Sequence, residues 1–175
     1  MLLTVAICRT TVAIVQSFSA KHQQQVVELI TQIQQQEFGI AITIADQPDL
    51  LNIPEFYQVD NGNFWVALDP ENNREQVIGT IALIDIGNHQ AVIRKMFVHQ
   101  NYRGKQKGIG QQLLQTLIDW AKYRSITELY LGTTEKLKAS HRFYEKNGFV
   151  QIEKFQLPKT FPIMNVDTRF YQYWI

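Results

Sequence analysis

A chain of 175 residues, 45% of them apolar, has the size of one domain and enough apolar side chains for a core that needs no disulfide or metal. Lys and Arg number 17 against 16 Asp and Glu, a net charge of +1, so no global field draws nucleic acid or an anionic membrane surface. A single cysteine, Cys8, excludes an internal disulfide and a thiolate metal site, and fits a reducing cytoplasm.

The opening MLLTVAIC carries an apolar run without a basic start. Cys8-Arg9 cuts that run, and Ile7 is too large for a lipoprotein-type cleavage site. Residues 1–10 are expected to be a strand or extension ahead of one domain over 11–175. No apolar run approaches the roughly 20 residues of a membrane span, so a soluble protein is expected. Thr11–Gln16 is rich in β-branched residues and reads as a strand. Ser19 then suits a helix cap, and Val26, Ile30 and Ile33 recur at helical spacing until Gly39. The glutamines around them (Gln23, Gln24, Gln25, Gln32, Gln34, Gln35, Gln36) read as that helix's solvated face. Ala45–Gln58, with two prolines and several acids, reads as a loop holding one short helix near Pro48–Leu51.

Phe64–Leu68, Gln76–Ile86 and Ala91–Val98 are strands separated by the turn sequences DPENN and GNHQ, which predicts an antiparallel meander. Beyond a glycine-bearing loop, Ile109, Leu113, Leu114, Leu117, Ile118 and Ala121 mark one buried helix face ending near Tyr123. Ile126–Thr134 is a strand reached through that helix, hence parallel to Ala91–Val98. A helix over about Lys136–Lys146 stops at Asn147-Gly148, and strands at Phe149–Phe155 and Val166–Trp174 close the chain. One α/β domain with a mixed sheet follows.

The segment RKMFVHQNYRGKQKGIGQQLL, Arg94–Leu114, places glycines after a strand and before a helix, where backbone N–H groups and the helix dipole suit a phosphate. A glycine pattern alone is also satisfied by a turn and close helix packing. Gly110 is followed by Gln111-Gln112 rather than Lys-Ser/Thr, which excludes a P-loop. Gly104, Gly108 and Gly110 have the wrong spacing for a dinucleotide fingerprint, and a meander precedes them. Coenzyme A is the common phosphate ligand left.

At Lys105-Gln106-Lys107-Gly108-Ile109-Gly110 the chain resembles the GNAT superfamily of N-acetyltransferases, whose Arg/Gln-x-x-Gly-x-Gly/Ala segment binds the pyrophosphate of acetyl-CoA. Lys105 stands at the first position, and RGKQKGIG is two residues longer than the shorter form RGKGIG. A second stretch, ASHRFYEKNGF at Ala139–Phe149, is similar to the family's aromatic-Tyr-x-x-x-Gly-Phe segment, with Leu137 where an Asn often stands. The resemblance covers about residues 91–149. It implies a GNAT-like fold: a central mixed, mostly antiparallel sheet with flanking helices and a parallel pair splayed at the cofactor site. It also implies acetyl-CoA as co-substrate, with no metal. The backbone of Met96, Phe97 and Val98 would pair with pantetheine, and Gly108, Ile109 and Gly110 would hold the pyrophosphate with the cations Arg103, Lys105 and Lys107 around it.

The implied reaction is acetyl transfer to a primary amine by direct attack, with Tyr144 as the acid that protonates the leaving thiolate; its usual pKa near 10 keeps it protonated. The family's frequent strand Glu is replaced by Val92, so the base is left among Asp85, Glu135, His99, His141 and a water chain. Asp46, Asp49 and Glu55, with Phe56 and Tyr57, would form an acidic acceptor wall favouring a cationic amine. The rival reading is a noncatalytic acyl-CoA-binding or regulatory module. The expected partner is a small-molecule or peptide amine, not nucleic acid or membrane, with a homodimer through Phe170, Tyr171, Tyr173 and Trp174 in view.

Overall fold

The computed structural model describes residues 13–69, 71 and 75–175. The strand or extension expected over residues 1–10 lies outside the described residues. Seven strands form one sheet in the order β1-β2-β3-β4-β5-β7-β6. They are β1 (Ile14–Ser17), β2 (Asn63–Leu68), β3 (Val77–Gly87), β4 (Gln90–Val98), β5 (Glu128–Thr133), β6 (Val150–Ile152) and β7 (Arg169–Trp174). Every neighbouring pair is antiparallel except β4 with β5, so the expected mixed, mostly antiparallel sheet with one parallel pair is what forms.

Alternation along the strands sorts side chains to two faces, because successive residues of a strand point oppositely. On β2, Trp65 and Ala67 join one core cluster while Phe64, Val66 and Leu68 join the other. The first face is covered by helix α3 (Ile109–Tyr123), whose buried Leu113, Leu114, Leu117, Ile118 and Ala121 recur at three and four residues. Each fully buried leucine contributes about 1.5–3 kcal/mol by leaving water, enough to fix the helix on the sheet. The opposite face of β2 and β3 is covered by α1 (Gln23–Thr31) and the five-residue α2 (Ile53–Tyr57), through Val26, Leu29, Ile30, Ile53 and Tyr57. Farther along that face, Val92, Tyr130 and Phe170 lie under Leu157 and Phe161 of the loop between β6 and β7.

Several expectations need correction. Helix α1 follows a 3-10 turn at Ala20–His22, and its start has no Ser19 side-chain cap; the Ser19 hydroxyl lies 3.3 Å from His22 Nδ1 instead. The helix continues as a π-turn over Gln32–Glu37, with Phe38 N bonded to Ile33 O. Gln34 on that turn is buried rather than solvated, because its amide exchanges hydrogen bonds with that of Gln47. Helix α2 has too few residues to show a period. Strand β6 stops at Ile152 because Glu153 and Gln156 form a reciprocal capping box around the next turn. Strand β7 pairs with β5 along its length and with β6 over residues 170–172; Phe170 and Tyr171 are core residues, Tyr173 stacks on Phe149 and Trp174 is exposed.

Candidate active site

The parallel pair is the key to the site. Strands β4 and β5 pair only from Gln90 with Glu128 to Ile93 with Leu131, and beyond that point β4 runs on to Val98 paired with β3 alone. The parting leaves one edge of Met96–Val98 facing a gap. A β-bulge sits at its mouth: three steps from Arg94 to Phe97 oppose two from Thr80 to Ala82. Lys95 takes the left-handed backbone there, φ 50°, held by a 2.7 Å hydrogen bond from Thr80 Oγ1 to its carbonyl. Beside the bulge is a cavity of about 90 Å³, lined by Arg94, Lys95 and Met96 from β4, by Gly132 and Thr133 from β5, and by Tyr144 and Asp167. It has room for an amine head or an acetyl group.

Tyr144 belongs to α4 (Lys138–Lys146), and the sequence FYEKNGF fixes it through the way the helix ends. Phe149 N donates to Tyr144 O and Gly148 N to Glu145 O, with Gly148 at φ 87°; these are the two bonds of a Schellman motif. The hydrophobic contact that accompanies the motif is Tyr144 against Phe149, ring centroids 5.3 Å apart. Tyrosine, glycine and phenylalanine at this spacing thus form one device that seats the tyrosine ring. Its hydroxyl lies 3.3 Å from Met96 Sδ at the parted strands. Burial pushes the phenol pKa up, so Tyr144 stays protonated at neutral pH.

The glycine loop meets the start of α3 at Gly108, whose φ of 63° only glycine adopts freely. The first intrahelical bond runs from Gln112 N to Gly108 O, which leaves the Ile109, Gly110 and Gln111 amides as the helix's free donors. An ideal Cβ on Gly110 would make ordinary contacts, 3.6 Å from the Phe143 ring and 3.7 Å from Met96 Cε, so the start of α3 lies beside both residues. These amides fit a diphosphate. The three expected cations are disposed differently. Arg103 grips the Glu37 carboxylate with both terminal nitrogens and donates through Nε to Val98 O at 2.7 Å. Lys107 bonds Asn101 O and lies over the Tyr102 ring, while Lys105 is exposed.

None of the base candidates from the sequence lines the cavity. Asp85 accepts from Asn61 and from Gly87 N, Glu135 pairs with Arg169, and the His99 ring accepts from Asn101 N. His141 is buried, with Nε2 3.0 Å from Thr134 O. Val92 is fully buried, paired with Ile84 and Tyr130. The acidic acceptor wall also fails to form. Asp46 caps Thr43, Glu55 bonds Asn52 on the surface, Phe56 is exposed, and Asp49 is committed to the Tyr57 hydroxyl and to Lys95.

The cavity instead holds three charged residues that sequence reasoning passed over. Lys95 is buried, with Nζ 2.6 Å from Gln47 Oε1 and 3.1 Å from Asp49 Oδ2. Arg94 donates through Nη1 to Pro162 O at 3.0 Å. Asp167 lies against Gly132, and burial raises its carboxyl pKa against the pull of the Met164 amide and of Arg94 and Lys95. The one local signal was Gly132, a glycine inside a strand that no turn explains.

Among known proteins, the family model described as Acetyltransferase (GNAT) family matches residues 27–149. The crystal structure of an acetyltransferase of GNAT family from Staphylococcus aureus Mu50 is 38% identical, with a TM-score of 0.86 over 91% of this chain and 97% of that one. An acetyltransferase from Streptococcus agalactiae 2603 is 33% identical, with a TM-score of 0.87 over 93% and 98%. N-acetylaspartate synthetase of Danio rerio is 32% identical over 115 residues, which are 63% of this chain and 39% of that protein. The chain thus matches about two fifths of the length of that relative. With the parted strands, the glycine-started helix and the seated tyrosine all in their places, the chain belongs to the GNAT family of acetyltransferases.

Proposed function

We propose that the protein transfers an acetyl group from acetyl-CoA to a primary amine by direct attack, with Tyr144 as the general acid. The observation that carries this reading is the Tyr144 hydroxyl, buried and held 3.3 Å from Met96 at the point where β4 leaves β5. When bound, acetyl-CoA supplies the thioester. The free amides of Ile109, Gly110 and Gln111 would hold its diphosphate, and the open edge of Met96 and Phe97 its pantetheine amides; Val98 O is already taken by Arg103. Tyr144 would donate its proton to the departing thiolate, and the ring packing with Phe149 keeps that hydroxyl from turning away.

Tyr144→Phe removes the hydroxyl and keeps the ring. Single-turnover thiol release should fall by roughly 10²–10⁴-fold, while calorimetric acetyl-CoA affinity stays constant. Equal chemical rates would remove Tyr144 from the reaction. Absence of thiol release from the wild type with every amine of a panel would favour a binding module instead.

A further inference from the structure

Acetyl transfer, the reading on which this inference rests, leaves one proton without a destination. An alkyl ammonium with a pKa of about 10.4 must deprotonate before its nitrogen can attack, an obstacle of roughly 4–5 kcal/mol at neutral pH. Tyr144 cannot help, since it is needed in its protonated form.

The two faces of the sheet decide where a base would have to stand. Met96 and Tyr144 pack with α3 on one face of the parted strands. Val92 and Tyr130 point to the other face, and by strand alternation so do Arg94 and Gly132. An acceptor must arrive from that second face, because α3 and α4 close the first. Asp167 stands there. A Cβ built on Gly132 would be 2.6 Å from Asp167 Cγ and 2.6 Å from Oδ2, so the missing side chain is the space that the carboxylate occupies. Gly132 pairs normally with Phe170 and has no positive φ, which leaves this seat as the reason for glycine in β5. The Met164 amide donates to Oδ2 at 3.0 Å and fixes the group, while Oδ1 accepts no hydrogen bond among the described residues.

We propose that Asp167, seated over Gly132 on the acceptor side of the cleft, is the general base that takes the proton from the acceptor ammonium. The ammonium N–H bond breaks toward Oδ1, giving a neutral amine and a carboxylic acid. The amine lone pair forms the C–N bond, the C–S bond breaks, and the sulfur electron pair takes the Tyr144 proton. The second proton lost by nitrogen returns Tyr144 to its starting state, and Asp167 releases its own to solvent. Burial lifts the Asp167 carboxyl toward the range a base needs. Arg94 and Lys95 on β4 oppose that rise, and Lys95 is in turn balanced by Asp49.

The test compares two amines with the full-length chain at saturating acetyl-CoA: propylamine, charged at neutral pH, and trifluoroethylamine, already neutral there. Asp167→Asn should slow thiol release with propylamine by about 10²–10⁴-fold and with trifluoroethylamine by less than about threefold. Gly132→Ala pushes the carboxylate off its seat and should give the same amine-selective loss, which decides the matter should Asp167→Asn not fold. Equal losses with both amines, or none with either, would overturn the base. A wild type that binds acetyl-CoA yet fails to release thiol with either amine would overturn the acetyl-transfer reading, and the base with it.

Discussion

Replacing Lys95 with methionine keeps the length and apolar stem of the side chain and removes only the ammonium. The perturbation falls on a pair with 4% and 14% side-chain exposure, Lys95 and Asp49, 3.1 Å apart. Asp49 would retain the Tyr57 hydroxyl as a donor, and Gln47 Oε1 would lose its 2.6 Å partner. Breaking one side of a buried pair leaves an uncompensated charge, at a cost of about 3–5 kcal/mol. That is a large share of a typical total of about 5–15 kcal/mol. Adding Asp49→Asn removes the orphaned charge while still accepting from Tyr57, and should recover at least half of the loss. The pH dependence has a definite sign. Burial outweighs Asp49 and lowers the Lys95 pKa from 10.5 to about 8. A folded pKa below the unfolded one gives stabilisation that is complete above about 10.5 and is lost as pH falls through about 8, roughly 3 kcal/mol across that window. Urea unfolding at constant m-value, at about pH 7 and about pH 9.5, reads both effects. A loss under about 1 kcal/mol at neutral pH, or no recovery in the double variant, would refute the reasoning.

Gly108→Ala has room, since nothing lies within 4 Å of an added methyl, but the φ of +63° does not suit it. About 1 kcal/mol of stability should be lost, and acetyl-CoA should bind more weakly by calorimetry as the helix start shifts; an unchanged melting temperature would mean the backbone there is not fixed. His22 is buried with no partner for Nε2 among the described residues, and burial, then Lys21, holds its pKa below 6.5. Its stabilisation is therefore complete above about pH 6.5 and lost on further acidification, so His22→Leu should flatten the fall in urea midpoint between about pH 7.5 and about pH 5.5. Parallel curves for the two proteins would assign the acid sensitivity elsewhere.

What could be read from the sequence was what neighbours in sequence determine. Tyr144 was legible because its placement is local: a Schellman motif spans only residues 144–149, and Gly148 and Phe149 serve it directly. Gly108 was legible because a helix start is local too. The meander and the parallel crossover followed from alternation and from the helix between β4 and β5. The cavity beside the bulge was not legible, since its contacts join distant positions. Lys95 meets Gln47 across 48 residues, and Asp167 meets Gly132 through packing that no pattern in either segment announces. Acids in an irregular loop suggested a charged wall, yet Asp49 is consumed by a lysine that reads in sequence as one more strand residue. The Arg103 pairing with Glu37, 66 residues away, is likewise invisible in the loop sequence.

The bulge links the two halves of the site more tightly than either looks alone. Lys95 sends its side chain to Gln47 and Asp49 in the wall that α1 and its following loop build, while its own carbonyl is tied to Thr80. The very next residue, Met96, touches the Tyr144 hydroxyl and offers the open strand edge. A shift of Gln47 and Asp49 therefore reaches the Tyr144 hydroxyl through two consecutive residues, the first of them in a left-handed backbone that resists sliding. The free amides at Ile109–Gln111 begin the helix whose Gly110 lies beside Met96 Cε. Because Met96 and Phe97 also offer the strand edge proposed for pantetheine, Lys95→Met should lower turnover and acetyl-CoA affinity along with stability, and Asp49→Asn added to it should recover at least half of each loss. Turnover that stayed low in a restabilised double variant would mean that Lys95 acts on the acceptor directly, and not through the position of Met96.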